Sequence, residues 1–162
     1  MDEKLARLRE EMAAHGYAAY IVPGTDPHQS EYIAERWQAR SWLSGFSGSA
    51  GTVVVTQDRA GLWTDSRYYL EAEQVLRDSE IELFKSGEPD VPDYPQWLAD
   101  TLSEGARVSF DTWLFPVSAV SNLRKTLERR GLAVDPGEDL IERIWPDRPD
   151  LPQGDAFLLG SG

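Results

Sequence analysis

The chain has 162 residues, 41% of them hydrophobic, with 28 acidic against 16 basic residues and a net charge of −12. That length predicts a single domain with a substantial core, and the acidity argues against nucleic-acid or anionic-membrane partners. Cysteine is absent, which excludes a disulfide framework, a thiolate nucleophile and a thiolate metal site, and fits a reducing cytosol.

The opening MDEKLARLREEM is charged throughout, and no apolar run of about 20 residues occurs, so neither a leader peptide nor a membrane span is expected. Leu5, Leu8 and Met12 recur at i, i+3, i+7 from Asp2 to His15 and predict a first helix, stopped at Gly16. Tyr17 to Val22 reads as a buried strand closed by Pro23-Gly24. The polar stretch from Thr25 to Trp42 is expected to wrap the sheet edge, with a short helical piece over Gln38 to Leu43. Thr52 to Thr56 and Gly61 to Thr64 predict a β-hairpin across Gln57-Asp58-Arg59-Ala60. Tyr69, Ala72 and Leu76 then share one face of a helix beginning near Asp65 or Ser66.

Glu80 to Lys85 alternates as a strand, and Gly87 to Pro95 is a loop. Tyr94 to Leu102 carries a short helix face, and Arg107 to Asp111 another strand. Val120, Leu123 and Leu127 mark a helix ending at Gly131. Leu132 to Asp135 is a last short strand, and Asp139 to Trp145 a last helical turn. Strands alternating with helices, one pair antiparallel, predict an α/β fold with a mixed β-sheet flanked by helices. From Pro146 the composition turns proline-rich and aperiodic, which predicts a linker. The apolar Ala156-Phe157-Leu158-Leu159 stops at once in Gly-Ser-Gly, as expected of a piece of a longer protein.

No catalytic constellation emerges from spacing. Gly45-Phe46-Ser47-Gly48-Ser49 fails the G-x-S-x-G pattern and precedes a strand instead of joining strand to helix. Gly45, Gly48 and Gly51 match no phosphate loop. His28, with Asp26 and Glu31 nearby, is a thin metal site, and a hydrogen-bonding role is the commoner use of a lone loop histidine. Arg67 is the exception to local physics: a cation in the first turn of its predicted helix opposes the macrodipole. A solvated arginine, or one paired with Asp65, is the plain reading of it. Trp37, Trp42 and Trp113 read as core, with a surface covered by another domain as the alternative.

AYIVPGTDPHQSEYIA, WLSGFSGSAGTVVVT, GLWTDSRYYLEAEQ, ARVSFDTWLF and LIERIWPDRP occur in that order. Together they resemble the N-terminal domain of the Xaa-Pro aminopeptidases (aminopeptidase P), among the creatinase/prolidase-like metallopeptidases, over residues 1–149. Residues 150–162 would then lead toward a second domain.

The resemblance implies a ribonuclease-H-like α/β fold standing first of two related domains, ahead of a catalytic domain. That catalytic domain would hold two divalent metals, usually manganese, and remove the N-terminal residue before proline. None of its metal ligands has a counterpart in this chain, so the chain alone is expected to be inactive and cofactor-free. The implied partners are a proline-containing peptide, the chain's own catalytic domain and a second subunit in a cytoplasmic homodimer.

The family's T-D-G-R-Y-F motif matches Thr64 to Tyr69, which assigns substrate binding to Arg67. Ser66 replaces the usual glycine, and would be strained if a positive φ were needed. His28 and Glu31 match the family's D-x-H-Q-S-E-Y block and are expected to line the site. A stand-alone interaction module of the same fold, without peptidase activity, is the alternative.

Overall fold

Leu5, Leu8 and Met12 are fully buried along one face of α1 (Glu3–Ala14), whose first turn is capped by Asp2 accepting from the Lys4 amide at 3.0 Å. In the computed structural model, which describes residues 2–151, 153 and 154, this helix lies on a six-stranded mixed sheet. The strands are β1 (Ala19–Pro23), β2 (Thr52–Thr56), β3 (Ala60–Thr64), β4 (Ile81–Lys85), β5 (Arg107–Phe110) and β6 (Ala133–Val134). Their order is β4-β3-β2-β1-β5-β6. β2 runs antiparallel to both neighbours, and the other pairs are parallel. The remaining helices are α2 (Ala39–Ser44), α3 (Tyr69–Leu76), α4 (Tyr94–Thr101), α5 (Val117–Leu127) and α6 (Leu140–Ile144).

The strands' period of two sorts their side chains into two cores. Tyr20, Val22, Val53, Val55 and Leu62 face α1, α2, α3 and α6. Ala19, Ile21, Val54, Trp63, Val108 and Phe110 face α4 and α5. Trp63 fixes the second face by stacking on Phe84 at 4.1 Å while its indole N–H donates to the Pro92 carbonyl at 2.9 Å. The Tyr20 hydroxyl donates to the Glu138 carbonyl and accepts from the Leu140 amide, which pins α6 to the central strand. The α/β reading of the sequence is what the chain adopts. Several boundaries shift by a residue or more, and two of the shifts have a clear cause. The first strand starts at Ala19 because the Tyr17 amide is spent closing α1 on the Met12 carbonyl at 2.8 Å. The helix expected from Asp65 or Ser66 starts at Tyr69, because Asp65 accepts the Arg67 amide and holds a turn first.

The proline-rich tail is fastened back onto the domain. Arg148, its side chain 2% exposed, donates from Nε to the Arg36 carbonyl at 2.9 Å and pairs with Asp139 and Glu142. Its guanidinium also faces the rings of Trp37 and Trp145. Arg36 returns the contact, donating to the Pro149 carbonyl and to Glu142. Trp145 stacks on Trp42 at 4.9 Å; Trp37 and Trp42 are half-buried, packed at the margin of the domain and not in the core the sequence suggested. Trp113 also departs from that expectation: its ring is 76% exposed, because Asp111 accepts the Trp113 amide in a 3₁₀ turn that turns the side chain outward. Of the expected linker, residues 152 and 155–162 lie outside the described residues, Ala156 to Leu159 among them.

The carboxyl ends of β1, β3 and β5 share one end of the sheet with the start of β2, so the segments beside them meet there. Asp26 shapes the first, accepting the His28 and Ser30 amides at 2.9 Å each. Gln29, at φ 56°, crosses to the segment after β5 by donating to the Leu114 carbonyl at 3.1 Å. The Ser30 amide above all, against the opposing effect of burial, holds the Asp26 carboxyl below the ordinary carboxylate range.

Two stability outcomes follow from these contacts. Arg148→Ala leaves Asp139 without its cation and empties the space between the Trp37 and Trp145 rings, and should cost about 2–3 kcal/mol in urea-induced unfolding; an unchanged midpoint would contradict the clamp. Asp26→Asn keeps an acceptor without the charge and should cost about 0.5–1 kcal/mol at pH 7. The folded value being depressed, Asp26 contributes fully above about pH 4, and its advantage is lost as pH falls through the folded pKa. Unfolding curves of the two proteins should therefore converge in acid, and a gap that persists there would refute the charge-based account.

Candidate functional site

At this end of the sheet lies a cavity of about 440 Å³ whose wall includes Thr25, Ser30, Glu31, Arg40, Ser47 and Ser49. Ser30 and Glu31 come from the Asp26 turn, Arg40 from α2, and Ser47 and Ser49 from the glycine-rich turn that leads into β2. That turn is narrow for a stated reason. A Cβ at Gly48 would stand 2.4 Å from the Phe46 ring and 2.8 Å from the Tyr68 ring, so only glycine lets the two aromatics close over the backbone. Phe46 and Tyr68 meet edge to face at 5.9 Å.

Arg67 joins the cavity through Tyr68. Its guanidinium faces the Tyr68 ring at 5.2 Å, and the Tyr68 hydroxyl sits 2.7 Å from that of Ser49 in the cavity wall. The pairing of Arg67 with Asp65 is bidentate, Nε at 2.9 Å and a terminal nitrogen at 2.8 Å, while the side chain stays 64% exposed. The pair lowers the Asp65 pKa and raises that of Arg67. Asp65 uses two of five guanidinium N–H groups, so three remain for an incoming oxygen. Because α3 begins at Tyr69, Arg67 precedes the helix, and the expected clash with the macrodipole does not arise. Ser66 is unstrained as well: among the described residues the non-glycine positions at positive φ are Gln29 and Asp90.

Glu31 is exposed and lines the cavity. His28 is exposed and is not among the residues of this wall. Its contribution is a backbone amide, not a ring nitrogen. The residue that sequence reasoning passed over is Arg40, 4% exposed and donating to the carbonyls of Gly48 and Gly51. The signal was present: Ala39, Arg40, Leu43 and Ser44 are buried on one side of α2, and a cation there is out of place. Among the described residues no group of three or more His, Cys, Asp or Glu is placed to hold a metal ion. The end of the sheet offers guanidinium groups, hydroxyls and a carboxylate, a set suited to binding and orienting.

Comparison with known proteins shows the family. The family model "Creatinase/Prolidase N-terminal domain" matches residues 4–144. Aminopeptidase P2 of Arabidopsis thaliana is 44% identical over 157 residues, covering 94% of this chain and 22% of the plant protein. The crystal structure of an X-prolyl aminopeptidase from Caenorhabditis elegans, described as a cytosolic enzyme with a di-nuclear active site, superposes with a TM-score of 0.85. It is 38% identical, over 93% of this chain and 26% of that one. The N-terminal domain of the cytoplasmic peptidase PepQ from Mycobacterium tuberculosis, 25% identical, superposes at 0.65 over 89% of this chain and 99% of that one. The chain thus spans about a quarter of the length of the full peptidases it matches. By sequence and by fold, it belongs to the creatinase/prolidase N-terminal domain family.

Proposed function

We propose that residues 1–149 form the non-catalytic N-terminal domain of a Xaa-Pro aminopeptidase, and that Arg67 binds the peptide substrate there. The observation that carries the reading is the state of Arg67: aimed by Asp65, backed by the Tyr68 ring, largely exposed, and with three N–H groups unspent. A guanidinium fixed in this way can grip a peptide carbonyl or carboxylate without first ordering a long side chain. Glu31 lines the approach, and His28 flanks it. The catalytic half lies C-terminal to this chain and would hold the two divalent metals, manganese in this reading, whose contribution there would be Lewis-acid activation. Residues after Pro149 lead toward that half, and the protein works as a cytoplasmic homodimer. The fastening of Pro149 by Arg36 supports a domain boundary at that point. Among the described residues no helix is long and apolar enough to cross a membrane.

In the full-length protein, Arg67→Ala should lower kcat/KM for an Xaa-Pro peptide roughly 10- to 100-fold with the circular dichroism spectrum unchanged. An unchanged kcat/KM would remove Arg67 from the site. The 162-residue chain alone, incubated with the same peptide and Mn²⁺, should release no amino acid; turnover would overturn the assignment of chemistry to the other half.

A further inference from the structure

Arg40 is a buried cation whose charge nothing nearby neutralises. Among the described residues no carboxylate lies within ion-pair distance of it. The acid that acts on it electrostatically, Glu71, spends an oxygen on the Ser47 hydroxyl at 3.0 Å. Two of its five N–H groups serve the Gly48 and Gly51 carbonyls, and Nε is buried with no acceptor at all. The backbone is pressed against it: a Cβ at Gly24 or at Gly51 would stand 2.9 Å from the guanidinium. Clamping two carbonyls needs a donor, but not a full charge held out of water. The same side chain forms part of the cavity wall, beside the hydroxyls of Ser30, Ser41, Ser47 and Ser49.

We propose that this cavity is a subsite for a carboxylate carried by a peptide ligand, with Arg40 as its counter-charge. The inference rests on the reading that peptides approach this end of the sheet. A planar monoanion matches the unspent edge of a guanidinium. A phosphate dianion fits less well, because Glu31 stands in the same wall and Glu71 is close by. The cavity's volume suits one or two residues of a peptide and not a larger ligand. Arg67 and Arg40 would then hold different parts of one peptide, on either side of the Phe46–Tyr68 pair.

The test is an NMR titration of the ¹⁵N-labelled 162-residue chain, following the Arg40 Nε–Hε resonance and the Gly48 and Gly51 amides. Ala-Pro-Ala with a free C-terminus should shift all three, and the same peptide as its C-terminal amide should not. Ala-Pro-Glu amide separates the sources: shifts with it as well would assign a side-chain carboxylate to the subsite, still in support. Arg40→Lys should weaken binding at least 10-fold. If that variant does not fold, Glu31→Gln decides, since loss of a like charge at an exposed position should tighten binding severalfold. Equal shifts from acid and amide, no response at Arg40, saturation by inorganic phosphate alone, or no gain in Glu31→Gln would each overturn the proposal. The readout involves no catalysis, so a failure of Arg67→Ala to change kcat/KM would leave it standing.

Discussion

A guanidinium with almost no contact with water organises the functional end of this domain. Arg40 reaches from α2 under the turn that leads into β2 and draws the Gly48 and Gly51 carbonyls toward it. The turn can then lie against Phe46, Phe46 against Tyr68, and Tyr68 under Arg67. Each contact depends on the one before. Glycine is required at position 48 because two aromatic rings occupy the space a side chain would fill. Burial of the cation lowers its pKa from the ordinary arginine value, but an arginine has so large a reserve that it stays charged.

The fold delivers these parts to one place through topology alone. With β2 antiparallel and the other five strands parallel to one another, five carboxyl ends and one amino end of strands lie together. Crevices beyond the carboxyl ends of strands are where open α/β sheets bind ligands. The opposite end carries the Thr56–Arg59 turn, closed by its own backbone bond at 2.8 Å. At the functional end, Gln29 and Thr25 reach across to the Leu114 carbonyl, so the two neighbouring segments hold each other in place.

Much of the architecture was legible because strands and helices announce themselves by period. Val53, Val54 and Val55 alternate between two cores, and Leu5, Leu8 and Met12 fall on one helix face. Boundaries were less so, since they depend on single hydrogen bonds such as the Met12–Tyr17 closure. Arg67 drew attention as a cation in a first helical turn, but Asp65 keeps it outside the helix, so its proposed role rests on the family motif instead. Arg40 was missed because a charged residue near two tryptophans looks like ordinary surface until its neighbours are known. Trp113 went the other way, an apolar ring turned outward by a carboxylate two residues earlier.

The account as a whole holds that this end of the domain meets the substrate of a peptidase whose chemistry is done elsewhere. Hydrogen–deuterium exchange on the full-length protein, with and without a non-hydrolysable Xaa-Pro peptide, tests that claim most directly. Bound peptide should slow exchange in residues 46–51 and 65–68 while the Thr56–Arg59 turn is unaffected. Identical exchange in both segments, with the peptide demonstrably bound, would contradict it.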